Sequence, residues 1–122
     1  MLAPMNPPFT SNLVWIGNAK SDFGRFPDIA KRRFGYQLFL AQVGEHPDVA
    51  KPLRGFNGAS VLELVEAISG GAFRVVYTVQ IKDTVCVLHC FEKKSSSGRK
   101  TSKQDLDTIK RRLAQAQEEF GR

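Results

Sequence analysis

The sequence predicts a small α+β domain, in which a first strand and a pair of helices precede a three-stranded antiparallel meander and a final helix. Three apolar segments follow one another between residues 60 and 92, separated by short turn-forming connections that are typical of hairpins. Apolar residues at helical spacing occur before this region and again after it. Helices and strands segregated along a chain in this way pack as helices against an antiparallel sheet.

The length of 122 residues favours one domain with an apolar core of its own. We expect the proline-rich residues 1–11 to form a flexible leader and residues 12–122 to form the domain. The first residues lack the basic and apolar regions of a signal peptide, and no apolar run is long enough to span a membrane. With two cysteines and no export signal, the sequence predicts a cytoplasmic protein.

The domain is predicted to begin with a strand and a helical hairpin. Residues 12–17, NLVWIG, form a short apolar run bounded by turn formers, as strands do, and we expect Trp15 to pack in the core. A short helix is expected over residues 19–24. The next helix should have Pro27 in its first turn and Gly44 at its end. Its apolar stripe consists of Ala30, Phe34, Leu38 and Ala41.

Residues 45–60 contain two prolines and two glycines and are predicted to form a loop. Strands are then expected over residues 60–67, 72–81 and 84–92. Alternation in the middle strand predicts one core face (Val75, Tyr77, Val79 and Ile81) and one wetter face (Arg74, Val76, Thr78 and Gln80). The last strand is apolar on both faces, which predicts a central and well covered position.

The final helix is predicted to begin near Ser102, after a capping box formed by Thr101 and Gln104. Its apolar residues at helical spacing are Leu106, Ile109, Leu113 and Phe120. We expect the helices to pack on one face of the sheet and to leave the other face partly open to solvent.

The net charge of +6 is large for a chain of this size. It favours a polyanionic partner, which is a nucleic acid, an acidic membrane surface or an acidic protein. The alternative is that the charge only keeps the protein soluble.

Cys86, His89 and Cys90 are residue types that bind metal ions, but an extended strand would hold them too far apart to share one ion. Residues four apart in a strand are roughly 13 Å apart, too far for one zinc ion or for a disulfide. The two cysteines should share one face as small buried residues, with His89 on the opposite face beside Val85, Val87 and Phe91. Two interpretations of His89 remain open, a hydrogen-bonded core residue and a proton-transfer group.

Five basic residues and no acidic residue lie between residues 93 and 103: Lys93, Lys94, Arg99, Lys100 and Lys103. This segment could be a solvated flexible loop. Alternatively, it could contact phosphates, because a strand and a helix hold its two ends in place. Lys51 and Arg54 before the meander, and Arg74 in its middle strand, could converge with it at one edge of the sheet. That convergence is a hypothesis about a nucleic-acid site.

The chain has no glycine-rich phosphate loop and no Ser-His-Asp arrangement. Cations, with one histidine, fit RNA transesterification, in which the 2′-hydroxyl attacks the adjacent phosphate and cations stabilise the developing charge. This reaction needs no metal and no cofactor, since the nucleophile belongs to the substrate.

Several strings, in the same order, resemble the RelE/ParE toxin superfamily, and in particular its HigB-like branch of phage-derived proteins. They are KPLRGFNGASVLELVE, FRVVYTV and VCVLHCFEKKSSSGRKTSKQDLDTIKRRLAQA, and the resemblance covers residues 12–120. It implies a small RelE-like fold and the toxin of a toxin–antitoxin pair, acting as an endoribonuclease on mRNA at the ribosomal A site. It also implies a helix-turn-helix antitoxin as the partner.

The resemblance implies catalytic roles for Arg74, Lys93, Lys94 and His89, and RNA-binding roles for Lys51, Arg54, Arg99, Lys100 and Lys103. The chain departs from some relatives, which have an aromatic hydroxyl near the C-terminus, because its last aromatic residue is Phe120. Two rival functions remain, a ParE-like inhibitor of DNA gyrase and a catalytically inactive module that binds nucleic acid or antitoxin.

Overall fold

The computed structural model of the protein describes residues 10–56, 61–93 and 101–121. The elements are β1 (Asn12–Trp15), α1 (Ala19–Gly24), α2 (Asp28–Gln42), β2 (Lys51–Pro52), β3 (Val61–Ile68), β4 (Gly71–Thr78), β5 (Thr84–Lys93) and α3 (Lys103–Phe120). The strands form one sheet in the order β1-β5-β4-β3-β2. The predicted α+β class, with its meander and C-terminal helix, is confirmed.

The meander β3-β4-β5 is antiparallel, as predicted, and β1 joins its edge parallel to β5. Ser69 and Gly70 connect β3 to β4 and have φ values of 50° and 80°. Two consecutive positive φ values are those of a type I′ turn, which matches the twist of the two strands. The loop predicted over residues 45–60 contains the short strand β2, whose Lys51 is paired with Glu63 of β3. Residues 57–60 of that loop lie outside the described residues.

Helices cover both faces of the sheet, which corrects the expectation of one open face. The first face packs on α1 and α2, and its core includes Phe34, Leu38, Val75, Tyr77 and Val87. The second face, which we call the α3 face, packs on α3 through residues such as Val76, Leu88 and Ile109.

The wetter face predicted for the middle strand is wrong for three of its four residues, and Gln80 alone of the four is exposed. Arg74, Val76 and Thr78 are buried on the α3 face, and Tyr77 is buried on the other face as predicted. The strand ends at Thr78, three residues before the predicted end. Alternation therefore stops there: Val79 is exposed, and Ile81 packs in the α3 core instead of with Tyr77.

A β-bulge in β5 changes which face its residues occupy. Tyr77 is paired with Val87, whereas the preceding residue Val76 is paired with His89, so Leu88 is an extra residue. Cys86 therefore packs on the α3 face and Cys90 on the opposite face, although the sequence predicted one shared face. His89 lies on the α3 face, which separates it from Val85 and Val87.

Both long helices follow their predicted stripes, with two corrections in α3. The buried residues of α2 are Ala30, Phe34, Leu38 and Ala41, as predicted. The cap of α3 is Ser102, whose Oγ accepts from the Asp105 N–H, so the cap lies one residue after Thr101. The Asp105 carboxylate strengthens this cap, because it accepts a hydrogen bond that the Ser102 hydroxyl donates. Phe120, predicted to be in the core, is 39% exposed.

The helix pair packs through aromatic rings, and Trp15 joins them as predicted. The ring of Phe23 in α1 lies 5.1 Å from that of Trp15 and 6.4 Å from that of Phe34 in α2, centroid to centroid. Aromatic pairs at such distances stabilise a core beyond the area that they bury. The first-strand prediction therefore holds for both its position and its packing.

Gly17 is a position where only glycine fits. Its φ is +57°, and a Cβ there would lie 2.8 Å from Nε of Arg112. We expect Gly17→Ala to lower the free energy of unfolding by about 1–2 kcal/mol from the backbone alone, and by more because Arg112 must move. Gly24→Ala is the control, because Gly24 ends α1 and a Cβ added there would meet no atom within 4 Å. Urea titration of both variants measures the difference, and equal midpoints would contradict it.

Candidate functional site

A groove of about 580 Å³ opens on the α3 face, between the edge of the sheet and the start of α3. We call it the Glu63 groove, and its lining residues are Lys51, Pro52, Leu53, Arg54, Glu63, Thr101 and Leu106. One wall belongs to β2 and the residues after it. The other wall belongs to the residue before the α3 cap and to the first turn of α3, so the position of α3 sets the width of the groove.

Glu63, which lines the groove, forms an ion pair with Arg74. The distance from Arg74 Nη1 to Glu63 Oε2 is 2.7 Å, and the side chains are 7% and 14% exposed. Thr101 Oγ1 donates to the same carboxylate oxygen at 3.4 Å. The pair forms because Glu63 and Arg74 lie diagonally on neighbouring strands and on one face. A buried arginine with its own carboxylate is held rigidly, and its charge is partly neutralised.

The structure brings together three of the predicted cations. Lys51 is the cross-strand partner of Glu63, so the two side chains share a face, and Arg54 lines the same groove. Both cations are exposed. Lys51 and Arg74 are thus neighbours of one carboxylate, whereas the convergence hypothesis also required a cation from the segment after β5.

Of the remaining predicted cations, Lys93 and Lys103 do not line the groove. Lys93 is paired with Ala72 at the end of β5 and follows Phe91 by two residues, so it is on the α3 face beyond the groove. Lys103 is the exposed first residue of α3 and does not line the groove. Lys94, Arg99 and Lys100 lie outside the described residues.

His89 lies between β5 and α3, where both ring nitrogens have partners. Nε2 is 2.8 Å from Oδ1 of Asp105, and Nδ1 is 3.3 Å from Nη1 of Arg112. The ring also stacks on Phe91, with centroids 4.7 Å apart, and the side chain is 12% exposed. His89 is thus a hydrogen-bonded residue at the edge of the α3 core, which is the first of the two interpretations that the sequence left open.

Sequence reasoning missed Glu63 and the interactions of Arg112. Arg112 is buried in α3 and donates to the carbonyl of Leu88 at 2.9 Å. The sequence could have indicated that Arg112 is buried, because it lies three residues after Ile109 on the apolar stripe of the helix. The signal for Glu63 was a carboxylate within an apolar strand, next to the strand that carries Arg74.

The two cysteines are free and buried, as predicted, and have the properties of core residues. Burial raises the pKa of Cys86, and it raises the pKa of Cys90 to about 12. The charge of Asp22 also raises the pKa of Cys90, whereas that of Arg112 lowers it. Both thiols are therefore protonated at neutral pH and are poor nucleophiles. Within residues 10–56, 61–93 and 101–121, no group of three His, Cys, Asp or Glu residues could hold a metal ion.

No helix in the described part of the chain is long and apolar enough to cross a membrane.

The fold and the groove together define a small α+β protein with a cation-lined groove beside a capped C-terminal helix. Residues 21–114 match the family described as phage derived protein Gp49-like (DUF891), and the chain belongs to this family. Among solved structures, the toxin–antitoxin complex RelBE2 from Mycobacterium tuberculosis is similar, with 21% identity and a TM-score of 0.46. The similarity covers 74% of this chain and 99% of that one. No curated protein matches the sequence at a significant level.

Proposed function

We propose that the protein is the toxin of a toxin–antitoxin pair, and that it is an endoribonuclease of the HigB-like branch that cleaves mRNA on the ribosome. The observation that carries the proposal is the Glu63 groove, which is lined by Lys51, Arg54 and a carboxylate that is paired with Arg74. Membership of a phage-derived family and the resemblance of the sequence to RelE-like toxins support the same function.

RNA binding rests on the exposed cations of the groove. Lys51 and Arg54 are available for backbone phosphates, and the net charge of +6 steers an anionic chain towards the protein. Each phosphate contact on single-stranded RNA contributes about 0.7 to the slope of log K against log salt. Lys93, Lys103 and the basic residues 94, 99 and 100 are proposed to extend this contact along the strand.

Cleavage is proposed to proceed by attack of the substrate's 2′-hydroxyl on the adjacent phosphorus, which expels the 5′-oxygen. Arg74 stabilises the additional negative charge of the phosphorane once the phosphate has displaced Glu63 from it. A phosphate that bonds to Arg74 competes with Glu63 for it and leaves the carboxylate beside the 2′-hydroxyl as a general base. A lysine, Lys93 or Lys94, donates the proton to the leaving oxygen. The scheme needs no metal and no cofactor, so a chelator should leave the rate unchanged.

The proposed partner is a helix-turn-helix antitoxin that masks the groove or hinders entry into the ribosome. The exposed lysine and arginine of the groove would bind acidic side chains of such a partner as they bind phosphates. We propose that the protein acts in the cytoplasm, where translating ribosomes are found.

A binding module without catalysis is the second candidate, and one observation favours it. Arg74 is 7% exposed and paired with Glu63, so substrate must displace an existing salt bridge before the guanidinium can act. A ParE-like gyrase inhibitor is the third candidate, and it would leave mRNA intact.

The test is controlled expression of the protein followed by mapping of mRNA 5′ ends on translating ribosomes. We expect the wild type to produce ends within coding sequences and the double variant Lys51→Ala, Arg54→Ala to produce at least tenfold fewer, about 1.4 kcal/mol in effective affinity. The control is Lys20→Ala, Arg32→Ala, which removes the same charge from exposed positions on α1 and α2. It should cleave like the wild type.

Measured RNA affinity at several salt concentrations separates the candidates further. The groove variant should lose about 1.4 from the salt slope, twice the value for one phosphate, and the control should lose none. Intact mRNA with normal RNA binding would favour the binding module. Intact mRNA with broken DNA would favour the gyrase inhibitor.

A further inference from the structure

We propose that His89 is a positioning residue for the Glu63 groove, which holds the start of α3 against the bulge of β5 and takes no part in proton transfer. This inference rests on the proposed function, because the groove is taken to be the RNA site. It gives a role to a side chain for which the sequence left two roles open.

The bulge of β5 creates the attachment point. The extra residue, Leu88, has no partner residue in β4, so its carbonyl is available outside the ladder. Arg112 of α3 donates to this carbonyl at 2.9 Å from a buried position, as a buried carbonyl requires. The same nitrogen, Nη1, lies 3.3 Å from Nδ1 of His89. Arg112 thereby ties α3 to both residues of the bulge.

The tautomer of His89 follows from its neighbours. A guanidinium has donors only, so Nδ1 of His89 must be the acceptor in its contact with Arg112. In a neutral ring Nε2 then carries the proton and donates it to Oδ1 of Asp105 at 2.8 Å. Both nitrogens are thus used, and the ring is fixed further by its stacking on Phe91. A histidine held in this way is suited to orienting its partner.

The partner that it orients is the first turn of α3. Asp105 uses its other oxygen, Oδ2, to accept from Ser102 Oγ at 2.8 Å, and its own N–H donates to that hydroxyl. The hydrogen bond from His89 therefore fixes the cap of α3. Thr101 lies directly before this cap and Leu106 directly after Asp105, and both line the groove. His89 in β5 consequently fixes the wall of the groove opposite Lys51.

Two substitutions of similar size separate positioning from proton transfer. In His89→Gln the amide nitrogen takes the place of Nε2 and donates to Asp105, but an amide cannot transfer a proton at neutral pH. His89→Phe keeps a ring on Phe91 and removes both hydrogen bonds. If His89 positions α3, the glutamine variant should keep its rate of RNA cleavage within about tenfold, the cost of one lost hydrogen bond. The phenylalanine variant should lose about 10²-fold in kcat/KM, because the wall of the groove is displaced.

The opposite result identifies a catalytic histidine. If the glutamine variant loses about 10²-fold or more in kcat at unchanged KM, His89 transfers a proton and the inference is overturned. Equal activity of the phenylalanine variant and the wild type would overturn it too, since no positioning would then be needed.

Hydrogen exchange tests the inference independently of RNA cleavage. The amides of Asp105 and Leu106 bond to Ser102 at the start of α3, and that of Gly121 bonds to Gln117 at its end. In His89→Phe we expect faster exchange at Asp105 and Leu106 than in His89→Gln, with Gly121 unchanged as the internal control. Equal exchange in the two variants would overturn the positioning role. A wild type that cleaves no RNA overturns the proposed function, and the exchange data still decide whether His89 holds α3.

Discussion

Arg74→Met is expected to abolish detectable RNA cleavage and to lower the free energy of unfolding by about 3–5 kcal/mol. The loss of stability is expected because the guanidinium is buried and bonded to Glu63 at 2.7 Å. Its removal leaves a carboxylate, 14% exposed, without its cationic partner. The substitution also removes the guanidinium that is proposed to stabilise the phosphorane. Urea denaturation measures the first effect and cleavage of a translated mRNA the second.

A double variant separates the structural loss from the catalytic loss. In Arg74→Met, Glu63→Leu no charge of the pair remains, and apolar replacement of a buried ion pair is often neutral for stability. We expect the double variant to regain most of the stability of the wild type and none of its cleavage. Regained cleavage would contradict the role of Arg74 at the phosphate.

Arg33→Met provides the matched control for stability. It breaks the ion pair between Arg33 and Glu66, whose separation is 3.2 Å, but Arg33 is 49% exposed. A pair whose cation is about half exposed contributes about 0–1 kcal/mol. If Arg33→Met lowered the free energy of unfolding as much as Arg74→Met, the loss of stability would not depend on burial of the arginine.

The sequence predicted the helices well because periodicity determines which side of a helix is buried. The four predicted residues of α2, from Ala30 to Ala41, are its buried residues. The same rule failed at the ends of α3. Thr101 and Ser102 give overlapping cap signals, and the contacts of Asp105 with Ser102 and with His89 in β5 accompany the second. Phe120 continues the stripe, but it lies at the last residue of the helix.

The face of each residue in β5 could not be predicted, because alternation assumes an unbroken ladder. One extra residue, Leu88, reverses the alternation, which places Cys86 and Cys90 on opposite faces and His89 under α3. Nothing in the local string VCVLHCF marks the bulge. Its stabilising partner, Arg112, lies more than twenty residues further along the chain. The bulge also removes the shared face that Cys86 and Cys90 would need to bind one metal ion.

The sequence predicted the cations of the groove but not Glu63, because contacts between neighbouring strands decide which side chains are paired. Cations are visible in a sequence, and Lys51, Arg54 and Arg74 could be assigned to one surface from the order of the strands. Whether a cation is exposed depends on its partner, and the partner of Arg74 is an acid eleven residues earlier on a neighbouring strand. Glu63 changes the site from a set of cations into a set of cations around a carboxylate. In the proposed mechanism that carboxylate is the base, which the cations alone do not supply.

Glu63→Gln tests whether that carboxylate is the general base. The glutamine side chain has the same shape but cannot accept a proton from the 2′-hydroxyl at neutral pH. We expect the cleavage rate to fall by about 10²–10⁴-fold, the usual effect of losing a general base. RNA affinity should be unchanged or higher, because a negative charge has left a groove that binds phosphates. Single-turnover rates at saturating protein, with dissociation constants measured in parallel, separate the two quantities.

Glu66→Gln is the control for this substitution. Glu66 lies three residues along the same strand on the opposite face, where Arg33 and Gln37 donate to its carboxylate. Its side chain is 14% exposed, the same fraction as that of Glu63. The two variants therefore make the same chemical change at equal burial, and only one of them alters the groove. If Glu63→Gln cleaves within tenfold of Glu66→Gln and binds RNA more tightly, Glu63 is only the counter-ion of Arg74. The base must then be a lysine of the groove or of the segment that follows β5.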